Sequence, residues 1–202
     1  VDQISYRAVA RHRGFHFVLG EFAGLDREAQ TITLNAIVDD NGQTILPERQ
    51  LAYDYLVLAM GSITNDFGIT GVSRHCQFLD SPDEAQNFHQ TFLNTLMRVN
   101  SERRTNPDAC AHIPIVGGGA TGVELAAELV YAAETVHEYG FSQADRSMLH
   151  ITLLEAGPRL LPALPERISR DTLRELKELG VDVRLEARIT EASADALVDQ
   201  HG

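Results

Sequence analysis

Cysteine is scarce in this 202-residue sequence. The two cysteines, Cys76 and Cys110, lie far apart and form no C-x-x-C pair, which argues against a redox dithiol and against a cysteine-based metal knot. We interpret each cysteine as a small, partly buried side chain in a reducing compartment. A cytoplasmic protein is therefore expected.

Long apolar runs are also missing. The longest run, at residues 55–60, reads Y-L-V-L-A-M, whereas a membrane-spanning helix needs roughly 20 apolar residues. The sequence therefore predicts no segment that crosses a membrane.

Basic residues are few relative to acidic ones. The chain has 17 Lys and Arg against 29 Asp and Glu, a net charge of −12. Nucleic-acid binding depends on clustered Lys and Arg, so we predict no nucleic-acid partner. The eight histidines contain no H-E-x-x-H pair, and no metal site is predicted.

A glycine-rich segment stands between an apolar run and an alanine-rich helical pattern. Residues 113–116 are I-P-I-V, and residues 117–122 are G-G-G-A-T-G. In a dinucleotide site Gly117 permits the tight turn, Gly119 lets the backbone approach a pyrophosphate, and Gly122 lets the helix pack on the strand. Free N–H groups at the helix start then face the phosphates. The predicted cofactor-binding residues here are Gly117, Gly118, Gly119, Ala120, Thr121 and Gly122.

An acidic residue ends the next predicted strand, at residues 150–155. Glu155 stands where a Rossmann unit places the carboxylate that accepts hydrogen bonds from the adenosine ribose, and Ala156 follows it. Because a carboxylate repels a 2′-phosphate, Glu155 favours NAD over NADP. It lies 33 positions after Gly122, against roughly 20 in the compact motif, and we place the excess in a longer helix and a surface loop at residues 139–143.

The first third of the chain is rich in strand patterns. Residues 15–22 and 31–34 are predicted strands, and an Asn-Gly turn at residues 39–43 predicts an antiparallel meander. Residues 53–62 then run apolar into Gly61, as a buried parallel strand does where it reaches a ligand. The alternative is that Gly61 only ends a strand.

Two helix starts follow. Ser81, Pro82 and Glu84 form a predicted capping box with Pro at the first helical position, and Pro165 begins another helix that Gly180 ends. Residues 181–185 alternate as a strand. The charged stretch at residues 101–108 predicts an exposed linker near a domain boundary.

Several of these segments resemble type II NADH:quinone oxidoreductases, the single-subunit respiratory NADH dehydrogenases. The resemblance covers nearly the whole chain. The glycine motif and residues 53–61 are shared across the wider superfamily of two-dinucleotide flavoproteins. Two further segments, N-D-F-G at residues 65–68 and L-L-P-A-L-P at residues 160–165, narrow the resemblance from that superfamily to the type II NADH:quinone oxidoreductases.

The resemblance implies a two-domain α/β flavoprotein fold that binds FAD and NAD. It implies a partial FAD-binding domain with a β-meander at residues 1–80, a connecting helix and linker at 81–108, and an incomplete Rossmann NAD-binding domain at 109–202. We therefore expect an internal fragment that is inactive by itself, with the flavin phosphate loop upstream and the membrane-anchoring and quinone-site regions downstream.

The same resemblance implies a reaction and its residues. NADH passes hydride to the flavin, and the flavin passes electrons to a quinone. Ala59, Gly61 and Ser62 correspond to a flavin-contacting turn. Glu124 corresponds to a carboxylate that assists proton movement near flavin and quinone, although a glutamate in a first helical turn is also typical of simple dipole stabilisation.

Other interpretations stay open. The chain is also compatible with another FAD/NAD(P)H oxidoreductase of the superfamily, such as an NADH oxidase or disulfide reductase, or with a non-catalytic NADH-sensing module. For the parent enzyme the resemblance implies NADH, FAD and quinone as partners, leaves room for a homodimer, and implies a peripheral position on the cytoplasmic face of the inner membrane.

Overall fold

The computed structural model describes residues 5–61, 63–135 and 146–202. The chain divides into two compact units, Val1–Gly61 and Ser62–Gly202. This division falls inside the predicted 1–80 segment, and the assignment of residues 1–80, 81–108 and 109–202 to three parts of a larger fold stays a prediction.

The first unit combines one helix with short antiparallel strands. Helix α1 (Tyr6–Arg13) begins after Ser5, whose side chain accepts a bond from the N–H of Ala8, and ends at Gly14, where φ is 74°. The strands are β1 (Phe22–Asp26), β2 (Thr31–Leu34), β3 (Ile37–Val38), β4 (Thr44–Leu46) and β5 (Arg49–Ala52). They form a three-stranded sheet in the order β1-β2-β5 and a separate β3-β4 hairpin.

The predicted first strand lies later than expected. Residues 15–21 have no regular structure, and β1 begins only at Phe22. The carbonyl of Leu19 accepts a bond from the guanidinium of Arg49 at 2.6 Å instead of a ladder N–H. The Asn-Gly turn is as predicted, because Asp39 accepts bonds from the N–H groups of Asn41 and Gln43 between β3 and β4.

The prediction of a buried strand at residues 53–62 is wrong for this structure. Residues 55–61 have no regular structure, and the side chains of Tyr55 and Val57 are 96% and 85% exposed. The hydrogen bonds between β2 and β5 end just before these residues, where the N–H of Tyr53 donates to the carbonyl of Gln30 at 2.9 Å. Apolar composition favours a strand, but a strand also needs a neighbouring backbone to bond.

The second unit contains a parallel sheet with helical crossovers. Its strands are β6 (Ala111–Val116), β7 (Leu149–Leu154) and β8 (Asp182–Arg184), in the order β6-β7-β8, and both pairs are parallel. Helix α4 (Ala120–Thr135) follows β6, and α5 (Glu166–Glu178) follows β7. This β-α-β-α-β order confirms the predicted α/β class.

Helix α4 accounts for part of the unusual spacing between Gly122 and Glu155. The helix runs to Thr135, and a single 3-10 turn, Arg146–Met148, leads into β7. The predicted loop at residues 139–143 lies outside the described residues.

A long helix precedes the parallel sheet. Short helix α2 (Val72–His75) comes first, and α3 (Pro82–Glu102) begins with the predicted capping box between Ser81 and Glu84. Leu96 and Val99 on α3 are fully buried in the same core as residues of β6, β7, α4 and α5. Apolar side chains at helical spacing thus hold α3 to the sheet.

The predicted linker at residues 101–108 contains one buried residue. Arg103 is 7% exposed, and its guanidinium donates to the carbonyl of Ala109 at 2.7 Å and to the hydroxyl of Ser147 at 2.6 Å. The other residues from 101 to 108 are exposed, as predicted. Arg103 therefore fixes this connection to the 3-10 turn that precedes β7.

A smaller core closes the unit near its carboxyl end. Strands β9 (Ile189–Ala192) and β10 (Leu197–Asp199) form an antiparallel hairpin. Leu154, Ala187 and Ile189 are buried together beside it.

Candidate functional site

The glycine-rich turn lies directly after β6, at the carboxyl end of the parallel sheet. The N–H of Gly117 donates to the carbonyl of Leu154 on β7 at 2.8 Å. Gly117 has a φ of 114°, a conformation that residues other than glycine rarely adopt. A Cβ at Gly122 would lie 2.0 Å from the carbonyl oxygen of Gly117. The tight turn and the close helix approach therefore both depend on glycine.

Gly119 differs from these two glycines. A Cβ at Gly119 would meet no atom within 4 Å, so the protein itself does not require glycine there. Open space beside exposed backbone is what the approach of a pyrophosphate needs.

The first turn of α4 presents unpaired backbone donors. Ala120, Thr121 and Gly122 lie in this turn, where no earlier helical carbonyl is available, and within the described ranges their N–H groups have no hydrogen-bond acceptor. Ala120 and Thr121 are exposed. Together with the positive end of the helix dipole, these groups can bind a phosphate.

Glu155 lies at the end of β7, next to this turn. Its Oε2 accepts a bond from the N–H of Gly118 at 2.7 Å, and its Oε1 accepts one from the N–H of Gly157 at 2.6 Å. Carboxylate oxygens offer about four acceptor positions, so two remain for ribose hydroxyls. The sequence did not predict these backbone bonds, because they depend on how β6 and β7 align.

The loop between β7 and α5 completes the site. Residues 156–165, the β7–α5 loop, contact Gly118, because the N–H of Leu161 donates to the carbonyl of Gly118 at 2.8 Å. Leu160 is 1% exposed, and its Cδ2 lies 2.6 Å from the position of a Cβ on Gly118. Ala156 is exposed within this loop. In the sequence, the L-L-P run of this loop contributes to the family resemblance but does not predict the contact with Gly118.

Glu124 lies two residues after Gly122. Its side chain is exposed, and it has no hydrogen bond or ion pair with any described residue. Its predicted catalytic role stays a prediction.

The predicted flavin-contacting residues lie elsewhere in the chain. Ala59 and Gly61 are exposed in the first unit, and Gly61 has a φ of 72° with open space where a Cβ would stand. Ser62 lies outside the described residues. The dinucleotide residues, by contrast, all belong to the second unit.

Cysteines and potential metal ligands form no site in the part of the chain that the structure describes. Cys76 and Cys110 are both free and half-buried, and burial raises the pKa of the Cys76 thiol. No group of three or more His, Cys, Asp or Glu residues could hold a metal ion within the described ranges. Among the same residues, no helix has the length and apolarity to span a membrane.

The family follows from a comparison with known proteins. Residues 5–201 match the model of the pyridine nucleotide-disulphide oxidoreductase family. The chain belongs to this family. Its α/β fold and its glycine-rich turn agree with that membership.

Two relatives are similar along most of this chain. A type II NADH:quinone oxidoreductase from Haemophilus influenzae is 41% identical over 214 residues, covering 100% of the chain and 48% of the relative. An external alternative NAD(P)H-ubiquinone oxidoreductase B1 from Solanum tuberosum is 33% identical over 183 residues, covering 84% of the chain and 29% of the relative. The resemblance seen in the sequence is thus confirmed, and the chain spans about half or less of these relatives.

Solved structures share the fold of this family member. NDH2 from Plasmodium falciparum in complex with NADH matches with a TM-score of 0.57 and 26% identity over 87% of the chain and 34% of that protein. Putidaredoxin reductase, in its covalent complex with putidaredoxin, matches with a TM-score of 0.55 over 98% of the chain and 41% of that protein. Its identity is only 19%, so it supports the fold alone.

Proposed function

We propose that this chain carries the NADH-binding part of a flavin-dependent NADH:quinone oxidoreductase. The observation that carries the proposal is the position of the glycine-rich turn and Glu155 at the carboxyl ends of two adjacent parallel strands. The 41% identity to a type II NADH:quinone oxidoreductase supports the same activity.

The residues at this end of the sheet fit a dinucleotide. The N–H groups of Ala120 and Thr121 would hold the pyrophosphate, since they point out of the first turn of α4 without a protein acceptor. The open space at Gly119 admits the phosphate oxygens. Glu155 would accept bonds from the adenosine ribose with the two acceptor positions that Gly118 and Gly157 leave unused.

Glu155 also supports a preference for NADH. A 2′-phosphate placed against this carboxylate would meet a like charge, whereas a 2′-hydroxyl can donate to it. No cation forms an ion pair with Glu155 among the described residues to offset that repulsion.

The flavin is proposed to lie against the turn at Ala59, Gly61 and Ser62. The open space at Gly61 permits a planar ring system to approach the backbone. When bound, the flavin would accept hydride from NADH and deliver electrons to a quinone. In the proposed enzyme Glu124, an exposed carboxylate, would hold or move a proton on the quinone side.

The position of the enzyme in the cell is part of the same proposal. We place it peripherally on the cytoplasmic face of the inner membrane, with NADH, FAD and quinone as its partners, and we allow for a homodimer. The lack of a spanning helix among the described residues is compatible with a peripheral protein.

The test uses the natural protein that carries these 202 residues. NADH oxidation is followed with a quinone, with oxygen and with a disulfide as alternative electron acceptors. Rapid oxidation with quinone alone supports the proposal. Rapid oxidation with oxygen or a disulfide identifies another oxidoreductase of the family, and NADH binding without turnover identifies a sensing module.

A further inference from the structure

Gly118 is held on both sides of its backbone. Its N–H donates to Glu155, and its carbonyl accepts a bond from the N–H of Leu161 at 2.8 Å. The second bond fixes the direction of the Gly118 carbonyl and also that of the next N–H group in the chain. Because a trans peptide unit is planar, the N–H of Gly119 points opposite to the carbonyl of Gly118. The bond from Leu161 therefore aims the Gly119 N–H away from the β7–α5 loop.

Leu161 needs support to make this bond. Its φ is 49°, in the left-handed region that a side-chain-bearing residue rarely adopts, and such conformations persist only where neighbouring contacts impose them. The carbonyl of Leu161 accepts a bond from the N–H of Leu164 at 2.9 Å, which closes a turn inside the loop.

Arg159 holds that turn. Its Nη1 donates to the carbonyl of Leu164 at 2.9 Å, and its Nη2 donates to the carbonyl of Pro162 at 2.6 Å. The planar guanidinium thus bridges two backbone oxygens with two separate N–H groups. No carboxylate forms an ion pair with Arg159 within the described ranges, so backbone carbonyls are its partners.

We propose that Arg159 is a positioning residue for the dinucleotide site. By closing the turn at residues 161–164, it fixes Leu161, which fixes the Gly118 carbonyl and so directs the Gly119 N–H towards the pyrophosphate. The effect of Arg159 should fall on the ADP half of the dinucleotide, because the loop contacts Gly118 and Glu155, which are proposed to lie at the pyrophosphate and the adenosine ribose. This inference rests on the proposed NADH-binding function.

A direct attraction between Arg159 and a phosphate is the competing explanation. A substitution of Arg159 by lysine distinguishes the positioning role from the direct phosphate contact. It keeps the positive charge, but a single ammonium lacks the rigid fork that bridges two carbonyls. A positioning role therefore predicts that Arg159→Lys behaves like Arg159→Ala, whereas a charge contact predicts that Arg159→Lys behaves like the wild type.

The experiment compares three variants of the natural protein. Arg159→Ala and Arg159→Lys test the loop, and Arg167→Ala is the matched control, because Arg167 on α5 has an 80% exposed side chain paired with Asp171 at 3.7 Å. Calorimetry gives the Kd for NADH, ADP-ribose and reduced nicotinamide mononucleotide. Hydrogen exchange of peptides containing Leu161 reports on the loop bond, and thermal melting verifies that each variant is folded.

We expect both Arg159 variants to raise the Kd for NADH and ADP-ribose about tenfold, equivalent to about 1.4 kcal/mol. The Kd for the mononucleotide should be unchanged, and the Leu161 amide should exchange faster. The Arg167→Ala control should match the wild type in the three Kd values and in the exchange at Leu161. If Arg159→Ala does not fold, Arg159→Lys alone carries the test.

Three results would overturn the inference. They are wild-type affinity in Arg159→Lys, unchanged exchange at Leu161 in both Arg159 variants, and equal weakening of the mononucleotide. A wild-type protein that binds no NADH overturns the proposed function instead, and in that case the exchange at Leu161 still decides whether Arg159 closes the loop.

Discussion

Gly122 approaches Gly117 so closely that a methyl group at position 122 would lie 2.0 Å from the carbonyl oxygen of Gly117. That oxygen belongs to the backbone of the tight turn, so it cannot move aside as the end of a flexible side chain can. The first turn of α4 and the end of β6 are therefore joined at a distance that only glycine permits.

Gly122→Ala should destabilise the protein. Overpacking of this kind costs about 1–3 kcal/mol, and the displaced helix start should also lose NADH binding. Urea denaturation measures the free energy of unfolding, and calorimetry measures the Kd. Gly119→Ala is the matched control, because its methyl group would enter open space. It should unfold like the wild type and still bind NADH at least about tenfold more weakly. Normal stability in Gly122→Ala would contradict the packing role.

Glu155→Ala should relax the preference for NADH over NADPH. The change removes the repulsion of a 2′-phosphate together with the ribose bonds, so NADH affinity falls while NADPH affinity falls less or rises. Titration of both nucleotides by calorimetry measures the ratio. Equal affinity of the wild type for the two nucleotides, or a preference for NADPH, would refute the role given to Glu155. Because Gly118 and Gly157 lose their acceptor in this variant, Glu155→Gln is the control that retains one carbonyl oxygen.

Glu124→Gln should leave NADH affinity nearly intact and slow electron transfer to quinone. The exposed carboxylate has no bond to hold the glycine-rich turn, so the amide should not disturb it, while an amide cannot carry a proton. Stopped-flow kinetics of the natural enzyme separate flavin reduction by NADH from reoxidation by quinone. If both rates are retained, Glu124 acts only as a helix-start residue.

Arg103→Met should lower the free energy of unfolding by about 2–4 kcal/mol, because hydrogen bonds to a charged group contribute about 1.5–3 kcal/mol each and a lost partner leaves a carbonyl unsatisfied. Chemical denaturation measures the change. Arg104→Ala is the neighbouring control. Its side chain is exposed, so the expected change is within about 0.5 kcal/mol. A similar effect of the two substitutions would show that the buried contacts of Arg103 with Ala109 and Ser147 add little.

The sequence predicted the elements whose signals are local. Gly117 and Gly122 marked the turn, because backbone conformation and close approach at these positions require glycine whatever the rest of the chain does. The capping box of Ser81 and Glu84 joins residues three positions apart, and it too was predictable. The parallel order of β6, β7 and β8 followed from apolar strands alternating with helical patterns.

Features that depend on distant residues were not predictable. The apolar pattern at residues 55–60 favours a strand, yet the strand does not form without a neighbouring backbone. The bond that the Gly118 N–H donates to Glu155 and the bond that its carbonyl accepts from the Leu161 N–H exist only because β6 and β7 align in parallel register. From the sequence alone, Arg159 is compatible with a nucleotide contact or with capping of a loop. Its bonds to the Pro162 and Leu164 carbonyls could not be predicted, because they depend on how the folded loop places those carbonyls.

The exposed segment at residues 55–61 has a practical consequence. Proteases bind their substrates in extended form, and this irregular, exposed stretch at the end of the first unit suits the cleft of a protease. Tyr55, Leu58 and Met60 are side chains that chymotrypsin accepts, so brief digestion should cut after one of them and leave a product that begins at residue 56, 59 or 61 and contains the second unit. The rate of that cleavage in the purified natural protein then shows whether a cofactor or another segment of polypeptide covers residues 55–61.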